Sequence, residues 1–147
     1  MSEHKIELKW ANQNQDFVYE SYSRSHKVRF GGGIEIQASS APEYLGRAEE
    51  VNPEELLAAA ASSCHMLTFL AVAAKSRLHV KSYHDQATAV LEKNELGKMS
   101  VTKIFLKTKI EFEGATPDAA KLKDLHDKAH RNCFIANSIS AKVEVIE

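Results

Sequence analysis

Asn52-Pro53-Glu54-Glu55-Leu56-Leu57-Ala58-Ala59-Ala60-Ala61-Ser62-Ser63-Cys64-His65 is the stretch on which the fold turns. Asn52 is a good helix cap, and Pro53 suits the first helical position. Glu55 stands where a capping-box carboxylate reaches back to the cap. The helix that starts here is expected to run to about Lys75, roughly 35 Å at 1.5 Å per residue. From Leu56 to Ala74 it carries no Asp, Glu, Lys or Arg. That length approaches a membrane span. Alanine is abundant, however, and Ser62, Ser63, Cys64, His65 and Thr68 interrupt the run. The reading is a helix buried on nearly all sides. So long a buried helix needs more cover than one chain of 147 residues supplies, and a second subunit is the natural source.

The residues before this helix read as a small antiparallel meander. Lys5 to Trp10 alternates in polarity, and Phe17 to Ser23 is aromatic-rich; both read as strands. Lys27–Phe30 and Ile34–Ala38 flank Gly31-Gly32-Gly33, a tight turn. Ser39 to Glu50, with Pro42 and Gly46, reads as a loop. After the helix, Val80–Glu92 and Ser100–Glu113 form a long hairpin turning near Asn94 and Gly97. Ile104, Leu106, Ile110 and Phe112 share one face of its second strand. Thr116-Pro117-Asp118 opens a second helix with Leu122, Leu125 and Ala129 as its apolar stripe, and Ala141 to Ile146 closes the chain as a strand. This order is α+β.

The length fits a single domain over residues 1–147. Nineteen Lys and Arg against 20 Asp and Glu leave a net charge of −1. Such a balance gives no pull toward nucleic acid or an anionic membrane. The start, Met1-Ser2-Glu3-His4-Lys5-Ile6-Glu7, lacks the apolar core of a signal peptide. A cytoplasmic location is the expectation. Two cysteines are too few for a disulfide framework, so a Cys64–Cys133 bond would be transient and functional.

Three chemistries compete for those cysteines. A peroxidatic thiolate attacks an O–O bond, becomes a sulfenic acid, and condenses with a second thiol. Cys64 and Cys133 can fill these roles, with Arg24 or Arg29 as the cation that steadies the thiolate. In a metal reading, His126, His130 and Cys133 at i, i+4 and i+7 share one helix face if the helix lasts that far, and Cys64 with His65 completes a tetrahedral set. In the third, both cysteines only pack. Gly31-Gly32-Gly33 is no phosphate loop, because no helix and no Lys-Ser or Lys-Thr pair follows it.

The run from Asn52 to Cys64, with Cys133 and the Ile135, Ala136, Asn137 and Ser138 that follow it, resembles the OsmC/Ohr family of thiol-dependent hydroperoxide reductases. The likeness spans nearly the whole chain, and the Asn-Pro-Glu start ten residues ahead of the cysteine is its specific part. The resemblance implies an OsmC-like fold with antiparallel sheets, a long buried central helix and an intertwined homodimer. It implies a peroxidatic Cys64, a resolving Cys133, and a Glu54 that pairs with a thiolate-orienting arginine, for which Arg24 is the choice over Arg29. Reduction of organic hydroperoxides to alcohols would follow, recharged by an external thiol or dithiol, with a lipoylated protein as one candidate. No cofactor is implied. On one straight helix Glu54 stands about 15 Å from Cys64, so Arg24 and Glu54 of one subunit are expected to serve Cys64 of the other. His65, directly after Cys64, departs from the hydroperoxidase branch, which has a bulky apolar residue there. Arg24-Ser25-His26 and the pair His126 and His130 point to a less studied branch. The alternatives are a metal-binding protein using Cys64, Cys133 and the histidines, and a non-catalytic small-molecule-binding module.

Overall fold

A computed structural model describes residues 1–146 of the chain. Its contacts gather in two compact units, Met1–Leu56 and Leu57–Glu147.

The first unit is the expected meander. β1 (Ile6–Lys9), β2 (His26–Phe30) and β3 (Glu35–Ala38) form a three-stranded antiparallel sheet in that order. The β2–β3 turn closes through Phe30 N–H to Ile34 O and Gly33 N–H to Phe30 O, both 2.8 Å. Gly33 takes φ 92° there, a conformation that costs glycine nothing. Phe17 to Ser23 is not a strand. Its rings pack on one another instead of along a ladder: Phe17 lies 5.0 Å from Tyr22 and 6.0 Å from Trp10 between ring centroids.

The capping box forms as the sequence implied. Asn52 Oδ1 accepts from Glu55 N–H at 2.9 Å, and Asn52 N–H donates to Glu55 Oε2 at 3.1 Å. From it α1 runs unbroken over Pro53–Lys75. Two bonds end it: Arg77 N–H reaches Ala74 O, and Leu78 N–H reaches Ala73 O, both at 3.0 Å. This is the Schellman pattern, with Arg77 in the left-handed conformation at φ 59°.

In the second unit, β4 (His79–Asp85) and β5 (Thr88–Lys93) both pair antiparallel with the long β6 (Met99–Glu113). The expected first hairpin strand is therefore two strands, interrupted at Gln86 and Ala87. The register carries through the gap: Asp85 faces Thr108, and Thr88 faces Phe105. After α2 (Ala119–Asn132), β7 (Lys142–Ile146) pairs parallel with β6. β5 and β7 both pair with Lys103–Phe105, so they flank β6 on opposite edges.

One face of α1 packs in this unit. Ala61 joins Ile104, Leu106, Ala141 and Val143; Phe69 and Ala73 join Leu125 and Ala129. The opposite face departs from the expected burial on nearly all sides. Ala59, Ser63, Leu67, Ala71 and Ala74 are exposed, with Leu67 at 60%. α1 is long and apolar enough to cross a membrane by length and composition. Ala58, Ala61, His65, Phe69 and Ala73 are its buried residues, and its other apolar side is left uncovered.

Candidate active site

Cys64 sits in the fourth turn of α1, half-buried. The metal reading put Cys133 on the α2 face of His126 and His130 only if the helix lasted that far. It does not, because α2 ends at Asn132 and Cys133 takes an extended conformation, φ −74° and ψ 113°. This break turns the following chain back on itself. Asn137 N–H bonds Cys133 O at 3.0 Å, Ser138 N–H bonds Ile135 O at 2.9 Å, and Ala136 N–H points at Cys133 Sγ at 3.4 Å. The result sets the Cys133 thiol and the amides of Phe134 and Ile135 against Cys64.

The two thiols are pushed in opposite directions. Burial opposes ionisation of Cys64, but the Ile135 amide, the Cys133 thiol, the Phe134 amide and the Thr68 hydroxyl together hold its pKa below the ordinary cysteine value. Burial pushes the Cys133 thiol up. The Ala136 amide offsets part of that, and the neighbouring Cys64 adds to the rise. Of the two thiols, Cys64 is thus the one that ionises more readily.

Cys64 opens into a cavity of about 750 Å³ along α1. Ala60, Leu67, Ala71 and Val72 supply an apolar wall, Phe134 and Ile135 stand opposite, and Lys75 and Asn132 close the polar end. A cavity of this size takes a small organic molecule.

His65 lies on the buried face of α1, away from this cavity. Its Nε2 meets His126 Nδ1 at 3.0 Å, with the Phe69 ring tilted against His126 at 4.7 Å between centroids. Its Nδ1 is buried with no partner. Burial, then the His126 and His130 charges, take its pKa down to about 4. It is a neutral core histidine and does not line the cavity at Cys64. Nor does the metal set assemble. His126 is spent on His65, and among the described residues no three His, Cys, Asp or Glu side chains gather as ligands.

Arg24 and Glu54 belong to the first unit. Arg24 is half-buried and held: its Nη atoms donate to the carbonyls of Tyr22 and Tyr19, and its guanidinium lies 3.6 Å from the Tyr22 ring centroid. Arg29 is exposed on β2, between Glu7 and Glu35 on the flanking strands. Glu54 stands half-buried in the first turn of α1. Thr68 escaped the sequence reading, as did the amides of Phe134 and Ile135. Thr68 was within reach of helical spacing, one turn beyond Cys64 on the same face; the amides carry no sequence signal.

With this geometry in place, comparison with known proteins decides the family. The family model described as OsmC-like protein matches residues 46–147. The chain belongs to the OsmC-like family. Among solved structures, an OsmC-like protein of unknown function from Vibrio cholerae O1 biovar eltor is 43% identical, covers 99% of both chains and superposes with a TM-score of 0.94. The organic hydroperoxide resistance protein OhrB of Bacillus subtilis covers 99% of this chain and 98% of its own, at 18% identity and a TM-score of 0.71. That likeness speaks for the fold alone. An uncharacterized Bacillus subtilis protein, YmaD, is 25% identical over 116 residues, which is 78% of this chain and 77% of that protein. The OsmC/Ohr fold read from the sequence is the fold of this OsmC-like chain.

Proposed function

We propose that this OsmC-like protein is a thiol-dependent peroxidase that reduces organic hydroperoxides to alcohols. The observation that carries the reading is the Cys64–Cys133 contact at an apolar cavity, with one thiol made more acidic and the other less. The hydroperoxide-resistance proteins of the same fold support it.

In this reading the Cys64 thiolate attacks the distal oxygen of ROOH. The O–O bond breaks, Cys64 becomes a sulfenic acid, and the alkoxide leaves and takes a proton to become the alcohol. Cys133 then attacks the Cys64 sulfur, water departs, and a disulfide forms. The two thiols have together passed two electrons to the peroxide. An external thiol or dithiol, of which a lipoylated protein is one candidate, restores them by exchange. Arg24, aligned by Glu54, is the cation at the thiolate, supplied by the other subunit of a homodimer. The uncovered apolar side of α1 supports that second subunit. The reading calls for no cofactor and places the reaction in the cytoplasm.

The test is an intact mass of the reduced protein after one equivalent of cumene hydroperoxide, under non-reducing conditions. Loss of two hydrogens with a Cys64–Cys133 link in the peptide map is the expected result. Cys64→Ser should abolish turnover, whereas Cys133→Ser should still form one sulfenic acid per subunit. An unchanged mass with both thiols intact, or full turnover in Cys64→Ser, would reject the mechanism.

A further inference from the structure

Away from the two thiols, three buried side-chain atoms among the described residues lack a protein partner: His65 Nδ1, Tyr83 Oη and Asp85 Oδ1. All three residues meet where α1 packs on β4. Ser62, His65 and Phe69 follow one another along one face of α1 at i, i+3 and i+7. Opposite them, Tyr83 and Asp85 stand two residues apart on one face of β4. Ser62 Oγ donates to Asp85 Oδ2, and the Phe69 ring lies 5.7 Å from the Tyr83 ring between centroids. Those two contacts bracket His65, which sits between Ser62 and Phe69 on the helix. α2 closes the remaining side, with His126 Nδ1 at 3.0 Å from His65 Nε2 and its ring 4.7 Å from Phe69. Burial and then the Asp85 charge push the Tyr83 phenol up, in keeping with a carboxylate standing near it.

An unpaired buried polar atom is costly, and native folds pair nearly all of them with protein or with internal water. An ionised Asp85 only accepts, Tyr83 Oη both donates and accepts, and His65 Nδ1 takes whichever role its Nε2 leaves. Water brings two protons and two lone pairs, so it satisfies this set in either imidazole tautomer. About three partners is also the usual complement of a buried water. The carboxylate repels an anion, and one acid among imidazoles and hydroxyls gives a divalent cation too few oxygens. We propose that the second unit holds an internal water site between α1 and β4, where water bridges Tyr83 Oη to Asp85 Oδ1 and reaches His65 Nδ1. The site ties the packed face of α1 to β4 and does not depend on the peroxidase reading.

The test is a crystal structure of the full chain at a resolution that shows ordered water, together with urea unfolding of Tyr83→Phe at fixed protein concentration. A water within about 3.2 Å of at least two of the three atoms is the expected result. Tyr83→Phe removes only the hydroxyl, and its unfolding constant should rise about five-fold. A bare hydroxyl behaves differently, since its removal relieves an orphan and leaves the constant unchanged or lower. Tyr83→Phe as stable as the wild type therefore overturns the bridge, whatever the density holds. Three unpaired atoms with no density between them overturn the site. So does Tyr83 Oη bonded directly to Asp85 Oδ1, or a peak at the distance of about 2.4 Å that marks a cation. Should Tyr83→Phe fail to fold, the crystal structure of the unaltered chain decides by the same criteria.

Discussion

Acidification should destabilise this protein well before its carboxylates titrate, through the pair at the centre of the second unit. His65 is 1% exposed, its Nδ1 has no partner, and its Nε2 meets a second imidazole at 3.0 Å. In the unfolded chain it binds a proton with a pKa near 6.5, in the fold only at about 4. Between those values the unfolded state holds one more proton than the native state, so stability rises with pH. The contribution is complete above the unfolded value and is lost as pH falls toward the folded one. From pH 7.5 to pH 5 the loss from His65 alone is about 2 kcal/mol. His126, whose pKa burial also lowers, adds loss of the same sign. The exposed carboxylates held low by their own neighbours, Glu49, Asp124 and Glu144, titrate below this window. Urea unfolding at fixed protein concentration should show the midpoint falling by about 1 M over that range. NMR titration should find the His65 ring neutral throughout. A midpoint that holds constant from pH 7.5 to pH 5, or a His65 ring that titrates near 6.5 in the folded protein, would refute the argument.

Three substitutions test the local structure. Asn52→Ala removes the acceptor for the Glu55 amide and should cost about 1 kcal/mol in urea unfolding; no loss would mean the capping box contributes nothing to α1. At Gly46 a Cβ would stand 1.6 Å from the Ser40 carbonyl oxygen, so Gly46→Ala should lower stability by about 2 kcal/mol or more, and a neutral result by thermal melting would show that this loop yields freely. Arg77→Gly relieves a left-handed residue at the end of α1 and should stabilise by about 0.5 kcal/mol, against which a destabilised variant would count.

What the sequence made legible is what neighbouring residues decide between themselves. The start of α1 was readable because cap, proline and reaching glutamate all lie within four positions, and both capping bonds are present. The β2–β3 turn was readable because a glycine run has few other uses. Phe17 to Ser23 misled for a related reason. Aromatic strand preference is at bottom a preference for having something to pack against, and here Trp10, Tyr19 and Tyr22 supply that within a turn and with Arg24. The pause at Gln86 and Ala87 keeps the register from Asp85 to Thr88, so periodicity alone shows one strand where there are two.

The site was legible to a different degree at each residue, and the reason is where α2 ends. No glycine or proline follows Asn132, so helical spacing left open whether Cys133 shares the face of His126 and His130. The backbone leaves the helix at Cys133 without those signals. That single departure takes Cys133 off that face and sets it beside Cys64. The resemblance to a family supplied the pairing of the two cysteines before the geometry did, because it compares whole chains and does not depend on knowing where one helix stops. It could not supply the donors around Cys64. Backbone amides leave no mark in a sequence, and Thr68 differs from any other helical threonine only by what lies one turn before it. The surroundings of Cys64 are therefore set by a helix end that local rules left open, and the acidity of that one thiol is the quantity that reports whether the end is where it stands here.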